Sequence, residues 1–441
     1  MAEHRRGANL PSIGGFNRTV VLDAVRRSPD GLSRVELASR TGLSAQTVSN
    51  VTRFLIEAGM IVESGTVVAG RGKPRTILRL EPGSRYAVGV HVDPAVVTYV
   101  LLDLAGTVVA SSTTSTPTAD DPSEVVRTIG SAVDGLIADA GVDVDGVLGV
   151  GIASPGPIDV DAGIVVDPPF LPRWRDVPLR DALAEATGYP VLLEKDVTAA
   201  AVGEMFLAGE SSARNFAFVY FGTGFGVGLV VDHEPVRGVG SNAGDAGHIM
   251  VDQRSLAGTP DGSGTRGEVG AAVAPDRLVR IARERGVALS GSGDAAGAVS
   301  SGGAVSSGGA VSSDGPVSSD GSVDAVNRAW DELAEAIAAG DEAAITLAAE
   351  AGTVMGDAAV VIVNLLDIDR VVFGGPFWSR IASAALPAAR AAIVGSPLLV
   401  PKHAVDVVES DRGADVAAVG AACLVLDAAL SPRASGLLIR R

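Results

Sequence analysis

A single cysteine, Cys423, stands among the 441 residues. One thiol cannot close a disulfide within its own chain, and any zinc site would have to find its other ligands elsewhere. Aromatic residues make up 4% of the chain, and there are only three lysines. The N-terminal stretch MAEHRRGANLPS has none of the apolar core of a signal peptide, and charges interrupt every candidate run of about 18 apolar residues. A soluble cytoplasmic protein with no membrane partner is therefore expected. The two common nucleotide fingerprints are also missing: there is no GxxxxGK[ST], and no GxGxxG opening a helix.

The chain is rich instead in Ala, Val and Gly, and long enough for two or three domains, each with its own core. Its net charge of −17 argues against a nucleic-acid partner for the chain as a whole. The charge is unevenly spread, however. Residues 1–80 hold 12 Lys and Arg against 6 Asp and Glu, so a basic head precedes a strongly acidic body. Such asymmetry suggests that only the head meets a polyanion.

The head reads as helix, glycine-containing turn, helix and hairpin, the pattern of a winged helix-turn-helix. Residues 17–58 read as three short helices. Ser33 and Glu36 form a capping box, Gly42 breaks the chain, and Ser44 caps a helix that ends near Gly59. In that last helix Val48, Val51 and Leu55 recur at helical spacing, leaving Gln46, Ser49, Asn50 and Arg53 opposite. Gln46, Thr47 and Asn50 are the expected base readers, with Ser44 and Arg53 on phosphates. The hairpin tip RGKPR places Arg71, Lys73 and Arg75 on an arm suited to a minor groove. The bland alternative is a helical hairpin with a polar outer face. The residue types and the local basicity favour double-stranded DNA.

From residue 86 to 430 strand-like and helix-like runs alternate, as in a mixed α/β domain. YAVGVHV, VVTYVLLDL and TVVASS read as a β meander, and VLGVGIASPGP as a buried strand entering a turn. FGTGFGVGLV, with Gly222, Thr223, Gly224 and Gly226, reads as a glycine loop between two strands, a weak signal by itself. GAVSSGGAVSSGGAVSSDGPVSSDGSV, Gly297 to Val323, lacks the bulk to form a core and reads as a flexible insertion. A short β-solenoid or a ligand lid is the sharper alternative.

Taken in order, SRVELASRTGLSAQTVSNVTRFLIEAGMI, GRGKPRTILRL, GIASPGPID, LPRWRDVPL, EKDVTAAAVGE, FGTGFGVG, NAGDAGHI and VVFGGPF resemble the ROK family (repressors, open reading frames, kinases). The likeness is to its repressor branch and spans about residues 17–430, apart from the insertion. It implies a winged helix-turn-helix over 1–82 followed by a two-lobed actin-like, sugar-kinase domain. The implied lobes are 83–196, completed by 411–430, and 197–410, which carries the Ser/Gly-rich insertion at 290–323.

The resemblance also implies where a ligand would sit and where kinase chemistry fails. The family's first phosphate loop, DxGxT, corresponds to HVDPA, which puts His91 for the magnesium-side Asp and Asp93 and Pro94 for small residues. Proline removes an N–H donor, and Asp93 adds negative charge where phosphates would lie. The second loop, Gly222 to Gly228, survives as a vestigial phosphate loop that cannot clamp ATP alone. The family's catalytic-base position falls on Asp196, with Lys195 in place of the preceding Asn. The family's sugar-binding Glu becomes Asp245, His248 matches, and a further Glu becomes Gly270. Lys195, Asp196, Asp245 and His248 are the expected ligand contacts. Lys195 would either pair with Asp196 or Asp245, or select an anionic ligand. The family's zinc cysteines correspond to Asp261, Ser263 and Glu268, so neither metal nor cofactor is expected. The implied protein is a homodimeric or tetrameric sugar-sensing regulator, a repressor, that binds an operator and is not an enzyme; the alternative is a sugar kinase with a DNA-binding head.

Overall fold

The computed structural model describes residues 10–67, 74–94, 96–117, 121–168, 171, 174–208, 213–252, 256, 266–290 and 320–430. The head comprises α1 (Leu10–Arg26), β1 (Leu32–Ser33), α2 (Arg34–Thr41), α3 (Ala45–Glu57), β2 (Ile61–Val67) and β3 (Arg75–Leu80). Its first helix starts at Leu10, ahead of residue 17, where the helical pattern was read to begin. The Ser33–Glu36 capping box forms as expected. Gly42 and Gly59, both at φ 70°, adopt the left-handed conformation that stops α2 and α3. Strand β3 pairs antiparallel with both β1 and β2. The wing tip, with Arg71 and Lys73, lies outside the described residues.

The first half of the body holds β4 (Tyr86–Val92), β5 (Val96–Asp103), β6 (Val108–Ser115), α4 (Pro122–Ala140), β7 (Val147–Ser154), β8 (Ile158–Asp159), β9 (Ile164–Val165), α5 (Leu179–Thr187) and β10 (Val191–Lys195). Five of these strands form a sheet in the order β10-β7-β4-β5-β6. Strands β4 to β6 are the antiparallel meander, and β7 and β10 extend it in parallel. Alternation in β4 divides its side chains between the faces: Val88, Val90 and Val92 pack with α4 and α5, while Ala87 packs on the other side.

Helix α6 (Asp196–Leu207) leaves the end of β10 and leads into the second half. There follow β11 (Phe216–Phe221), β12 (Phe225–Val231), β13 (Glu234–Pro235), β14 (Met250–Asp252), β15 (Arg266–Glu268), α7 (Val269–Ala272), α8 (Pro275–Glu284), α9 (Asp320–Ala339), α10 (Glu342–Leu366), β16 (Arg370–Gly374), α11 (Trp378–Val394), β17 (Asp406–Glu409) and α12 (Val416–Leu430). The second five-stranded sheet runs β13-β12-β11-β16-β17, with β11 and β12 an antiparallel hairpin. Residues 291–319 of the Ser/Gly-rich segment lie outside the described residues, but α9 already begins at Asp320. The helix thus takes in the last residues assigned to the insertion.

Two layers of helix explain the arrangement. One face of β11 (Ala217, Val219, Phe221) shares a core with α8 to α11, and the other (Phe216, Phe218, Tyr220) shares one with α6 and α12. Helices α6 and α12 therefore lie between the two sheets. Glycines make that interior crowding possible. A Cβ at Gly228 would lie 2.1 Å from Val197 O, and one at Gly203 would lie 2.8 Å from Gly420 Cα. Charges do interrupt the longest apolar runs, Glu350 and Asp357 in α10 and Asp415 and Asp427 in residues 413–430. Yet α10 and the 413–430 segment that includes α12 are long and apolar enough to cross a membrane; most of each is buried inside the protein, where that apolarity serves the core.

The head is not a bead on a string. Val21, Leu22 and Val25 of α1 share a core with Phe206 at the end of α6 and with Ala422, Cys423 and Leu426 of α12. Burial pushes the Cys423 thiol up to about 12, so it is an inert apolar filler.

The packing predicts a contrast between two glycines of one loop. Gly228→Ala should cost about 2 kcal/mol or more, because helix backbone blocks the new methyl. Gly224→Ala meets nothing within 4 Å and should change stability by less than about 0.5 kcal/mol. Urea denaturation of both variants measures the difference.

Candidate ligand cleft and nucleic-acid face

The outer face of α3 is built from its first turn. Ser44 caps the helix by accepting from Thr47 N at 3.1 Å, and its hydroxyl also meets Thr47 Oγ1 at 2.9 Å. Gln46 Nε2 donates to Asn50 Oδ1 at 3.1 Å, one turn along. Gln46, Asn50 and Arg53 are exposed, whereas Val48, Val51 and Leu55 are buried. The remaining amide donors and acceptors of Gln46 and Asn50 stay exposed on this face. Arg75, at the start of β3, is exposed as well.

Between the two sheets opens a cavity of about 350 Å3, lined in part by Asp93, Lys195, Asp196, Tyr220, Asn242 and Asp245, together with Thr223, Gly224 and Gly226. Five segments converge on it: the loop after β4, the loop after β7 with Pro155, Gly156 and Pro157, the end of β10 with the start of α6, the β11–β12 turn, and the 240s loop. Asn242 ties the last of these to the first sheet's side. Its Oδ1 accepts from Ile158 N at 2.8 Å, and its Nδ2 donates to Ile158 O at 2.7 Å.

Lys195 does not form the expected pair with Asp196 or Asp245. Its buried ammonium donates to Asn242 O at 3.2 Å rather than to Asp196 or Asp245. Its stem is packed so closely that a Cβ on Gly156 would lie 3.2 Å from Lys195 Cε. Behind it, buried Glu194 pairs with Arg237 at 2.5 Å. Asp196, at the first position of α6, accepts from Val197 N at 2.7 Å. Desolvation raises its pKa to about 6; Asp93 adds to the rise, while the Val197 bond and Lys195 oppose it. Tyr220 is buried and its hydroxyl has no partner. Burial and the nearby Asp196 and Asp93 push its pKa well above the usual value, so the phenol stays neutral.

Two expected contacts sit elsewhere. His248 is not in the cavity wall: its ring is exposed and pairs with Glu268, Nδ1 to Oε1 at 3.2 Å. Glu268 raises the His248 pKa, and nothing apolar draws the ring inward. Gly222 is also absent from the wall, because that residue is turned onto the Tyr220 ring. The other glycines have a structural use. A Cβ at Gly226 would come 2.6 Å from the Val197 side chain, so this glycine and Gly228 let α6 approach β12. Tyr220 and Asn242 escaped sequence reasoning: the tyrosine reads as one more strand residue, and Asn242 opens NAGDAGHI without a chemical signature.

The implied nucleotide and zinc chemistry find few fitting residues. His91 is buried edge-on to Tyr220, ring centroids 6.2 Å apart. Burial lowers its pKa to about 4, so the ring is neutral near pH 7. Of the residues at the zinc positions, Asp261 and Ser263 lie outside the described residues, and Glu268 is engaged by His248. Among the described residues no three His, Cys, Asp or Glu gather as a metal set.

Residues 87–428 match the ROK family, and residues 21–62 match a winged helix-turn-helix DNA-binding family. The chain belongs to the ROK family. It is 28% identical over 246 residues to the xylose repressor of Bacillus subtilis, a stretch covering 56% of this chain and 63% of that one. The chain spans between about half and two thirds of the length of the curated relatives it matches. A crystal structure of a ROK family transcriptional regulator, a homologue of E. coli Mlc, superposes with a TM-score of 0.68 at 21% identity, covering 97% of this chain and 98% of that one. A ROK family glucokinase from Streptomyces griseus, solved with glucose and AMPPNP, gives 0.56 at 23% identity over 77% of this chain and 98% of its own. The fold is thus a winged helix-turn-helix followed by the two-lobed actin-like sugar-kinase architecture.

A raised carboxylate pKa gives a signed prediction. Asp196 binds its proton more tightly folded than unfolded, so the stability it confers is present below about pH 4 and lost as pH rises through about 6. Asp196→Asn should therefore stabilise the protein by about 1 to 2 kcal/mol near pH 7.5, once solvent access from the cleft is allowed for. That gain should vanish near pH 4, as thermal melts at the two pH values will show.

Proposed function

We propose that this ROK protein is a sequence-specific DNA-binding transcriptional regulator, a repressor, acting in the cytoplasm, whose interlobe cleft senses a sugar or sugar derivative. The observation that carries this reading is the joining of an exposed Gln46–Asn50 recognition face to a cleft with degraded phosphate-transfer residues. A kinase reading is weaker: Pro94 withholds an N–H, and neutral His91 stands in for a metal-facing carboxylate.

Helix α6 offers a route for the signal. Its first residue, Asp196, lines the cavity, while Phe206 O near its far end accepts from Arg26 Nη1 of α1 at 2.8 Å. The Arg26 guanidinium also stacks 3.8 Å over the Phe206 ring and pairs with Asp23 at 2.7 Å. A cation on the carbonyl end of a helix is favourable, and this one belongs to the DNA-binding head. A rigid rod of about 18 Å thus links ligand to head. Ligand that shifts α6 would tilt α1 and, in a dimer, misalign the two recognition helices.

A second copy of the chain is the proposed partner, as a dimer or tetramer. Val361 and Leu365 on α10, with Val394, Leu398 and Val400, are exposed apolar residues at one end of the second half. Asn364 pins the 398–400 segment to α10 through bonds at 2.9 Å to Leu398 O and from Val400 N. A rigid apolar patch of this kind suits contact between identical subunits.

Footprinting with gel shifts tests the reading. Wild type should protect a palindrome whose half-sites lie about 34 Å, or a multiple of it, apart, and Gln46→Ala with Asn50→Ala should lose that protection. Undiminished protection by the double variant would refute the assignment of base readers. For the signal route, Arg26→Met should keep operator affinity within about threefold yet lose most of the release caused by ligand. A full ligand response in that variant would exclude the Arg26 link.

A further inference from the structure

Helix α1 carries two arginines that each lie over a phenylalanine ring, and their surroundings differ. Arg26, at its C-terminal end, stacks 3.8 Å over Phe206 and is engaged by Asp23 and by Phe206 O. Arg18, about two turns earlier, stacks 3.8 Å over Phe54 of α3. It is exposed, and among the described residues no carboxylate or carbonyl takes its N–H groups. The first stack is closed on itself and fixes the head to the body. The second leaves a guanidinium whose fork of donors is open to solvent.

The place of the second stack gives it a target. Phe54 lies one turn beyond Asn50 on α3 and beside Arg53. It is 40% exposed, so it belongs to the outer face and not to the core that holds Val48, Val51 and Leu55. One helical turn is about 6 Å of rise, and the major groove is about 12 Å wide. A cation one turn from the Gln46–Asn50 pair therefore falls at the phosphate wall of the groove, not over base edges. The aromatic face also holds the guanidinium in advance, which lowers the side-chain entropy lost when it meets an anion.

We propose that Arg18, though it belongs to the first helix, is a DNA-backbone contact, presented by Phe54 to a phosphate at the edge of the groove that α3 enters. The proposal rests on the DNA-binding reading above and adds a residue that fixes register without reading sequence. Helix α1 would then hold the body through Arg26 and the DNA backbone through Arg18, so a tilt of α1 would move the phosphate contact together with α3.

Fluorescence anisotropy of the full chain across a salt series tests this on two duplexes, the palindrome that wild type protects and a mixed-sequence duplex of about three helical turns. Arg18→Met keeps an apolar stem over Phe54 and removes the charge. It should weaken binding to both duplexes about tenfold, and the slope of log K against log salt should fall by about 0.9 for each chain bound. Arg18→Lys should keep the slope, because the charge remains. Phe54→Leu should keep the slope and weaken binding about threefold, because the cation is present but no longer held. Thermal melts check that each variant is folded. A wild-type slope in Arg18→Met overturns the phosphate contact, and a lowered melting temperature beside it would make the stack a contact between α1 and α3 only. The DNA-binding reading would survive that result, since Gln46→Ala with Asn50→Ala tests it separately. Wild type that binds neither duplex removes that reading, and this inference with it.

Discussion

The close approach of α6 to its neighbours is the constraint on which the rest of the structure depends. Backbone meets backbone where Gly203 faces Gly420 and where Gly228 faces Val197. That contact lets one helix serve two sheets: its outer residues share a core with both α12 and β11. Because interiors are packed near crystalline density, such a helix moves as a body or not at all. Its two ends therefore have linked fates. One end carries Asp196 into the cleft, and the other holds the DNA-binding head through Phe206.

The same closeness gives the glycine-rich turn its meaning. FGTGFGVGLV looks like a phosphate loop because such loops need bare backbone, and close helix packing needs it too. Here packing accounts for Gly228 and in part for Gly226, while Thr223, Gly224, Phe225 and Gly226 line the cavity. In the non-kinase reading proposed above, the residues near this turn do not complete a phosphate clamp. His91 is buried and neutral, Pro94 lacks an N–H, and Asp93 brings negative charge.

The head gains stability by sharing the body's core. Val21, Leu22 and Val25 on α1 belong to one core in which Leu37, Val48 and Leu55 of the head meet Phe206 and α12 of the body. Coupling between sensing and DNA recognition thus needs no separate linker, since a change at α6 or α12 is felt where α1 packs.

Much of the architecture was legible in the chain. Runs of apolar, β-branched residues announced the β4 to β6 meander, because strands such as β4 and β5 that are buried on both faces read as near-continuous apolar stretches. Ser33, Glu36, Gly42 and Gly59 marked the head's helices, because caps and left-handed glycines satisfy helix ends locally. Val48, Val51 and Leu55 likewise named the buried face of α3. The ordered motifs, the basic head and the acidic body were enough to reach the family. Three-dimensional packing alone decided the site. Nothing near Lys195 in the chain says that Asn242, 47 residues on, would take its ammonium, or that Tyr220 would end with an unpartnered hydroxyl beside Asp196. His248 matched its motif yet faces Glu268 in solvent. Local patterns report what a residue does with its near neighbours in the chain. The charge and partners of a cleft depend on segments brought together by folding, and those only the tertiary structure could supply.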